Sequence, residues 1–324
     1  MDVSIILINY NTKQLTIDCI DSITKLSEGF EYEIIVIDNQ SKDDSVESFK
    51  KLNNSHLILI ENNDNEGTSR AFNKAAKKAK GKYVFWLNTD TILINNAIYE
   101  LYSFMESHPE CGVCGGNLYK LDKSPNFSFR VPMFEPKLEI KELGLRYQLK
   151  LKDEHYIEDN FFNKSDKPIE AARISGADVM IRSELFKKVG YFDDNLFMYG
   201  EELEFEYRVL TQTSYKSYNV PSSKIIHLEG GSFKKEAKSF NEFHFFHQIL
   251  GFTKMFYKHF GKKWALKYLK SYKSMLSKRT LICKVLRKKS AAKDNALRRD
   301  LLKSYIDHFN KFITCFKEMD YYLK

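Results

Sequence analysis

Four short apolar runs, each closed by a cluster of polar residues and each separated from the next by a stretch with helical spacing, constrain this chain more than any other feature. Residues 3–8 (Val3-Ser4-Ile5-Ile6-Leu7-Ile8), 33–37 (Glu33-Ile34-Ile35-Val36-Ile37), 57–60 (Leu57-Ile58-Leu59-Ile60) and 82–87 read as strands. They are short, mostly β-branched or aromatic, and nearly continuous in hydrophobicity, as strands buried on both faces are. Between them, 12–26 repeats apolar residues at Leu15, Cys19, Ile23 and Leu26, and 43–52 and 68–78 read as further helices. This alternation predicts an α/β fold, a mostly parallel sheet with helices on both faces. The polar clusters then share the C-terminal edge of that sheet: Asn9-Tyr10-Asn11, Asp38-Asn39-Gln40-Ser41, Asn62-Asn63-Asp64-Asn65 and Asn88-Thr89-Asp90. Open α/β sheets bind ligands at that edge. Turn chemistry alone explains Asn and Asp at single strand ends. It explains less well a carboxylate at both Asp38 and Asp90.

Beyond the fourth strand the pattern predicts a helix over 96–107, a strand over 112–118, long loops over 119–167, and a strand over 174–181 interrupted by Gly176. A short helix over 183–189 is expected to be capped by Ser183 and stopped by Gly190. Residues 201–210 read as a helix, and everything after Phe240 reads as helical. The expected organisation is an α/β domain over 1–238, with halves at about 1–118 and 119–238, followed by a basic helical region over 239–324.

The hydrophobic content of 43% and charged content of 29% are those of a globular chain. No apolar stretch is long enough to span a bilayer, and the chain opens on a strand rather than on a signal peptide. A cytoplasmic protein is expected. Its five cysteines are an odd set without framework spacing. Cys111-x-x-Cys114 has no second pair and falls in a strand, which favours packing over zinc or redox chemistry. The net charge of +8 is unevenly spread: residues 254–303 hold 17 Lys and Arg against Asp294 and Asp300. Within 262–279, Trp264, Ala265, Tyr268, Leu269, Tyr272, Met275 and Leu276 share one helical face, with lysines largely elsewhere. Two readings stand for this stretch: peripheral contact with an anionic membrane through 254–303, or a helix packed on the protein with a solvated lysine face. Nucleic acid is not an expected partner, because no recognised binding motif accompanies the lysines.

Taken in order, several short stretches resemble glycosyltransferase family 2, in particular its rhamnosyltransferase-like bacterial branch. They are the first two strands with their polar ends, Leu87-Asn88-Thr89-Asp90-Thr91, Ser175-Gly176-Ala177-Asp178-Val179-Met180-Ile181-Arg182, Val189-Gly190-Tyr191-Phe192-Asp193, Phe197-Met198-Tyr199-Gly200-Glu201-Glu202-Leu203-Glu204 and Ile226-His227-Leu228. Each is unspecific, whereas the ordered series over residues 1–235 is specific. The resemblance implies a GT-A fold and inverting transfer of a sugar from a nucleotide-sugar donor to a saccharide or polyprenyl-diphosphate-linked acceptor. In the branch it resembles, that reaction builds bacterial surface polysaccharide, and attachment to the inner face of the cytoplasmic membrane would suit it.

The same resemblance implies roles for particular residues. Asp38 would read uracil or thymine, favouring UDP or dTDP sugars such as dTDP-rhamnose, with Asn9 and Asn11 lining the pocket and Asn65 in the adjoining turn. Asp90 would hold Mg²⁺ or Mn²⁺, and Asn88 stands where the family often has a second acid. His227 would contact the metal or the diphosphate, with Gly230-Gly231 letting a loop fold over the donor. Arg70 and Arg130 are candidates to neutralise the diphosphate. Gly176 would floor the sugar site, with Asp178 close by. Glu202 would be the general base, one methylene longer than the Asp usual in the family, and Glu201 its supporting neighbour. An acidic first turn that favours the helix dipole is the competing account of these two. Asn88 and Glu202 together also leave open a non-catalytic sugar-nucleotide-binding or scaffold subunit. A dehydrogenase is disfavoured because Asn9-Tyr10-Asn11-Thr12 lacks the glycine fingerprint of that turn.

Overall fold

The structure, a computed structural model, describes residues 1–144, 161–228 and 240–316. The chain forms two compact units. One comprises Met1–Met133, Tyr156–Asp194 and Glu201–Glu236, and the other Phe134–His155, Asn195–Gly200 and Ala237–Lys324.

The first unit is built on strands β1 (Val3–Asn9), β2 (Tyr32–Asp38), β3 (Leu57–Glu61), β4 (Tyr83–Leu87), β5 (Thr91–Leu93), β6 (Cys111–Tyr119), β7 (Phe129–Arg130), β8 (Ile169–Ala171), β9 (Arg173–Ile174), β10 (Asp178–Arg182) and β11 (Lys216–His227). The main sheet runs β3-β2-β1-β4-β10-β6-β11-β5, with β8 also on β11, while β7 and β9 make a separate two-stranded ribbon. β1 pairs in parallel with β2 on one side and β4 on the other, β2 with β3, and β6 with β11. β5, β8 and β10 run antiparallel to their neighbours.

Side chains alternate across the sheet with the period of two that a strand imposes. Ile5, Leu7, Ile34, Val36, Phe85 and Met180 join one core with Cys19, Ile20 and Ile23 of α1 (Lys13–Leu26), Phe49 of α2 (Ser45–Lys50), and Ile98 and Leu101 of α4 (Ala97–Ser107). Ile6, Ile35, Ile37, Val84, Trp86 and Ile181 join a second core with α3 (Gly67–Ala76) through Ala71, Phe72 and Ala75. The helix Pro136–Glu142, α5, belongs to the second unit. Two later helices complete the second face of the sheet, α6 (Leu185–Val189) through Phe186 and α7 (Glu201–Gln212) through Phe205 and Val209. Helices therefore cover both faces, as the alternation predicts.

Several expectations need correction. The strand expected over 174–181 is two strands in different sheets, β9 and β10, split by the turn in which Asp178 N–H donates to Ser175 O. Ser183 is not a helix cap: α6 starts two residues later, and the Ser183 hydroxyl donates to Gly81 O at 2.7 Å. The loops expected over 119–167 include β7 and α5 among the described residues. The strand ending at His227 is 12 residues long, with its register shifted between Asn219 and Lys224, where Pro221 cannot donate to a ladder.

The second unit is helical: α5, α8 (Glu242–Phe260), α9 (Lys262–Val285), α10 (Lys289–Asp307) and α11 (Phe309–Thr314). Its core is aromatic, with Tyr305 stacked on Phe312 at 4.6 Å and Phe256 on Tyr268 at 4.7 Å. Ala265, Tyr268, Leu269, Met275 and Leu276 of α9 are buried. Most of the apolar face of 262–279 is thus used in helix packing, with Trp264 and Tyr272 half-buried. Segment Asn195–Gly200 joins this unit, where Tyr199 Oη hydrogen-bonds His244 Nδ1 at 2.5 Å. Gly251 of α8 admits the Tyr199 carbonyl so closely that a side chain there would collide with it.

Gly115 of β6 sets the spacing of the sheet beside β10. A methyl group there would lie 2.6 Å from Asp178 O and meet the Ile174 side chain. Gly115→Ala is expected to destabilise the fold by about 1–3 kcal/mol, as overpacking does. Urea denaturation checks this, and an unchanged midpoint would show that the strands can part at no cost.

Candidate active site

The ends of β1 and β2 are tied together by side chains. Asn9 and Asp38 are register partners and both are buried. Asn9 Nδ2 donates to Asp38 Oδ2 at 2.6 Å and to Ser41 Oγ at 2.9 Å, while its Oδ1 accepts from the hydroxyls of Thr12 and Thr16, both at 2.8 Å. Asn9 therefore spends its polar groups inside the protein and orients Asp38. The second carboxylate oxygen of Asp38 accepts from Ser41 N at 2.8 Å. Asn11 is exposed, has φ +56°, and accepts Lys42 N–H at 2.7 Å. Asn39 Nδ2 donates to Asn65 Oδ1 at 3.2 Å, and that oxygen also accepts Gly67 N–H at the start of α3, which joins the loops after β2 and β3.

After β4 the chain turns sharply. Thr91 Oγ1 donates to Asn88 O at 2.6 Å, and β5 then runs back along β11, pairing Thr91 with His227. This return brings Asp90 to His227: Oδ1 lies 3.3 Å from Nε2, both side chains being mostly but not fully buried. Leu228 N–H donates to Asp90 O at 2.9 Å and fixes the pair from the backbone side. No cluster of three or more His, Cys, Asp or Glu suited to a metal occurs among the described residues. Asp90 and His227 offer one anionic oxygen and one imidazole nitrogen. Such a pair fits a divalent cation whose remaining ligands are diphosphate and water oxygens, and the imidazole suits Mn²⁺ better than Mg²⁺.

The acids at the start of α7 are sorted by their surroundings. Glu202 Oε1 lies 2.6 Å from Arg173 Nη2 on β9. A side chain at Gly176 would sit 3.3 Å from the Glu202 carboxyl carbon, so the glycine leaves that carboxyl room on its side. Glu201 is buried, and its Oε2 has no hydrogen-bond partner among the described residues. Burial first, and the neighbouring Glu202 charge second, push its pKa up to about 8. Glu204 chelates Arg208 at 2.9 and 3.0 Å, and Arg208 caps the end of α6 through Gly190 O and Tyr191 O. Glu206 accepts Ile174 N–H at 2.8 Å, and burial holds its pKa well above the usual range.

Other expected residues are placed differently. Asp178 is fully buried in β10, accepts Gly116 N–H at 2.7 Å, and is pushed by burial well above the ordinary carboxylate range. It serves the sheet rather than an open crevice. Arg130 lies directly across the β7–β9 ribbon from Arg173. Arg70 is exposed on α3 and donates to Asp194 O at 3.0 Å. Gly230-Gly231 lie outside the described residues. Sequence reasoning missed Arg173, Thr12 and Thr89. A single Arg ahead of Ser175-Gly176-Ala177 and two threonines in polar loops carry no signal of their own.

These groups form one connected chain. Thr12, bonded to Asn9, lies 3.3 Å from Thr89 Oγ1, which joins the loops after β1 and β4. Asn88 N–H donates to Ala177 O at 2.9 Å, and the preceding residue, Gly176, faces Glu202. Asp38, Asp90 with His227, and Glu202 are thereby linked within one unit through a handful of contacts at the sheet edge.

A mostly parallel sheet carrying such an edge is the GT-A fold of glycosyltransferases. The mannosyltransferase PcManGT from Pyrobaculum calidifontis, solved with GDP-Man and Mn²⁺, superposes with a TM-score of 0.54 at 13% identity over 94% of this chain and 86% of that one. GalNAc-T7 with UDP, GalNAc and Mn²⁺ gives 0.56 at 18% identity, over 79% of this chain and 47% of that one. The chain belongs to glycosyl transferase family 2, whose description it matches over residues 4–190. It is 36% identical over 106 residues to an Escherichia coli protein, UDP-Glc:alpha-D-GlcNAc-diphosphoundecaprenol beta-1,3-glucosyltransferase WfaP, a match covering 32% of this chain and 41% of that relative.

The raised pKa of Glu201 has a stability consequence. The folded protein keeps the proton to higher pH than the unfolded chain, so folding loses stability as pH rises through the window between the ordinary Glu value of 4.5 and about 8. Glu201→Gln removes that loss. Its denaturation midpoint should exceed that of the wild type at pH 9 and approach it at pH 5, and parallel pH profiles of the two proteins would contradict the assignment.

Proposed function

We propose that this chain is an inverting, metal-assisted glycosyltransferase that moves a sugar from a UDP or dTDP donor to a saccharide or lipid-linked saccharide acceptor in bacterial surface polysaccharide synthesis. What supports the reading above all is the contact chain from Asp38 through Thr12–Thr89 and Asp90–His227 to Gly176 and Glu202. The named activity of the WfaP relative, a UDP-glucose-dependent transfer to a diphosphoundecaprenol-linked sugar, is of the same kind.

In this reading Asp38, held by Asn9 and Ser41, accepts a hydrogen bond from the imide N–H of uracil or thymine. Asn11 and Asn65 shape the nucleotide side of the crevice. Asp90 and His227 hold a divalent cation, which when bound offsets the charge that builds on the departing diphosphate. Arg70 and Arg130 would neutralise diphosphate oxygens. Glu202, oriented by its 2.6 Å contact with Arg173, takes the proton of the acceptor hydroxyl as that oxygen attacks the anomeric carbon. The base and the departing phosphate lie on opposite faces of the sugar, so one displacement inverts the centre and no enzyme nucleophile is needed. Glu201, neutral at ordinary pH because of its burial, keeps a second negative charge away from Glu202.

Glu202→Gln should lower turnover by about 10²–10⁴-fold, the usual worth of a general base, with donor affinity little changed. Full activity in the variant would remove Glu202 from that role. Asp90→Ala should weaken UDP binding in the presence of MnCl₂ by roughly ten- to a hundredfold and leave metal-free binding alone. Calorimetric titration of UDP with and without Mn²⁺ decides this. Donor binding with no hydrolysis or transfer, with or without metal, would favour a non-catalytic sugar-nucleotide-binding subunit instead.

A further inference from the structure

The exposed apolar surface of the second unit is concentrated at the end of α9. Leu281, Val285 and Leu286 are 65%, 75% and 59% exposed. They lie within the last five residues of α9 and the residue after it, where the α9–α10 hairpin reverses with Arg287 at φ +55°. Large aliphatic side chains standing this far into water are unfavourable unless something covers them. Their surroundings are as unusual as their exposure. Residues 278–293 contain seven Lys and Arg and no acid. Lys284, Arg287, Lys288 and Lys289 are exposed immediately around the aliphatic group. The end of a helix favours cations, but only in its last turn and in small number. Helix-end electrostatics gives no reason for three exposed aliphatics among them.

We propose that this hairpin tip docks the protein on an anionic lipid bilayer. The three aliphatic side chains enter the boundary between headgroups and acyl chains, while the surrounding lysines and arginines meet lipid phosphates. A second copy of the chain is a poor occupant, because a symmetric contact through the tip would press two dense cation clusters together. A nucleic acid would satisfy the cations and leave the aliphatics in water. Only an anionic surface with an apolar interior answers both features. The contact proposed is a peripheral one; no helix among the described residues is long and apolar enough to cross a membrane. It is also distinct from the Trp264–Leu276 face of α9, most of which is buried in the helical core.

The test is co-sedimentation of the full chain with vesicles of phosphatidylcholine alone and of equal parts phosphatidylcholine and phosphatidylglycerol. Binding is expected to the mixed vesicles only and to weaken as salt rises. L281S/V285S/L286S and K284Q/R287Q/K288Q/K289Q should each lower vesicle affinity by about tenfold or more while retaining wild-type helical content and thermal midpoint. K263Q/K267Q/K270Q/K273Q, which removes as many charges from elsewhere on α9, should lower it distinctly less. The proposal is overturned by absence of binding to the mixed vesicles, by equal loss in the control variant, or by concentration-dependent self-association that disappears in the serine variant. Binding is read without any sugar transfer, so the outcome is independent of the proposed reaction.

Discussion

The structure depends on β1 having a parallel neighbour on each side, β2 and β4. The connections through α1 and α2 cover one face of the sheet and the connection through α3 covers the other, while Thr12 and Thr89 join the loops that follow β1 and β4. Every candidate group at the edge takes its place from this arrangement. Asp38 stands at the end of β2 beside Asn9 at the end of β1, and Thr89, after β4, reaches Thr12 after β1.

The second organising factor is how burial sorts six carboxylates that look alike in the sequence. Asp178 and Glu206 are enclosed, each takes a backbone N–H, and burial keeps both neutral well above the ordinary range. Glu204 is also enclosed but faces Arg208 in a chelating pair, whose disruption from one side would cost about 3–5 kcal/mol. These three hold β10, β9 and α6 in place. Glu201 and Glu202 lie one peptide apart, yet Glu202 forms an ion pair with Arg173 while burial pushes the pKa of Glu201 up. Asp90 faces the His227 imidazole. Differences in solvation and in partner, rather than in residue type, separate scaffold acids from candidate reactive ones.

Much of the α/β unit was legible because strand periodicity, helix spacing and polar strand ends are local properties. The first four strands and the helices between them appear within a few residues of their expected limits. Elements that failed to show were those whose existence depends on a distant partner. β5 is three residues long, and Thr91-Ile92-Leu93 has no signal apart from its pairing with β11. β8 is equally short and β9 shorter still, and the break between β9 and β10 is made by a turn bonded to Ser128 and to itself. The aromatic face of α9 was visible as a stripe, but a stripe does not say whether it meets protein or lipid; the buried Tyr268 and Leu269 answer that.

The amino-acid sequence by itself determined the class of the fold, the edge at which polar residues collect and the ordered series of motifs that marks the family, because hydrophobic period and turn chemistry act between neighbours along the chain. Only the tertiary structure decided that Asp90 meets His227, that Arg173 meets Glu202, that Asp178 turns into the sheet, and that the exposed aliphatic group lies at Leu281, Val285 and Leu286. These are contacts between residues tens to more than a hundred positions apart, or exposures left over once packing is complete. Long-range register and the competition for burial set them, and no local pattern encodes either.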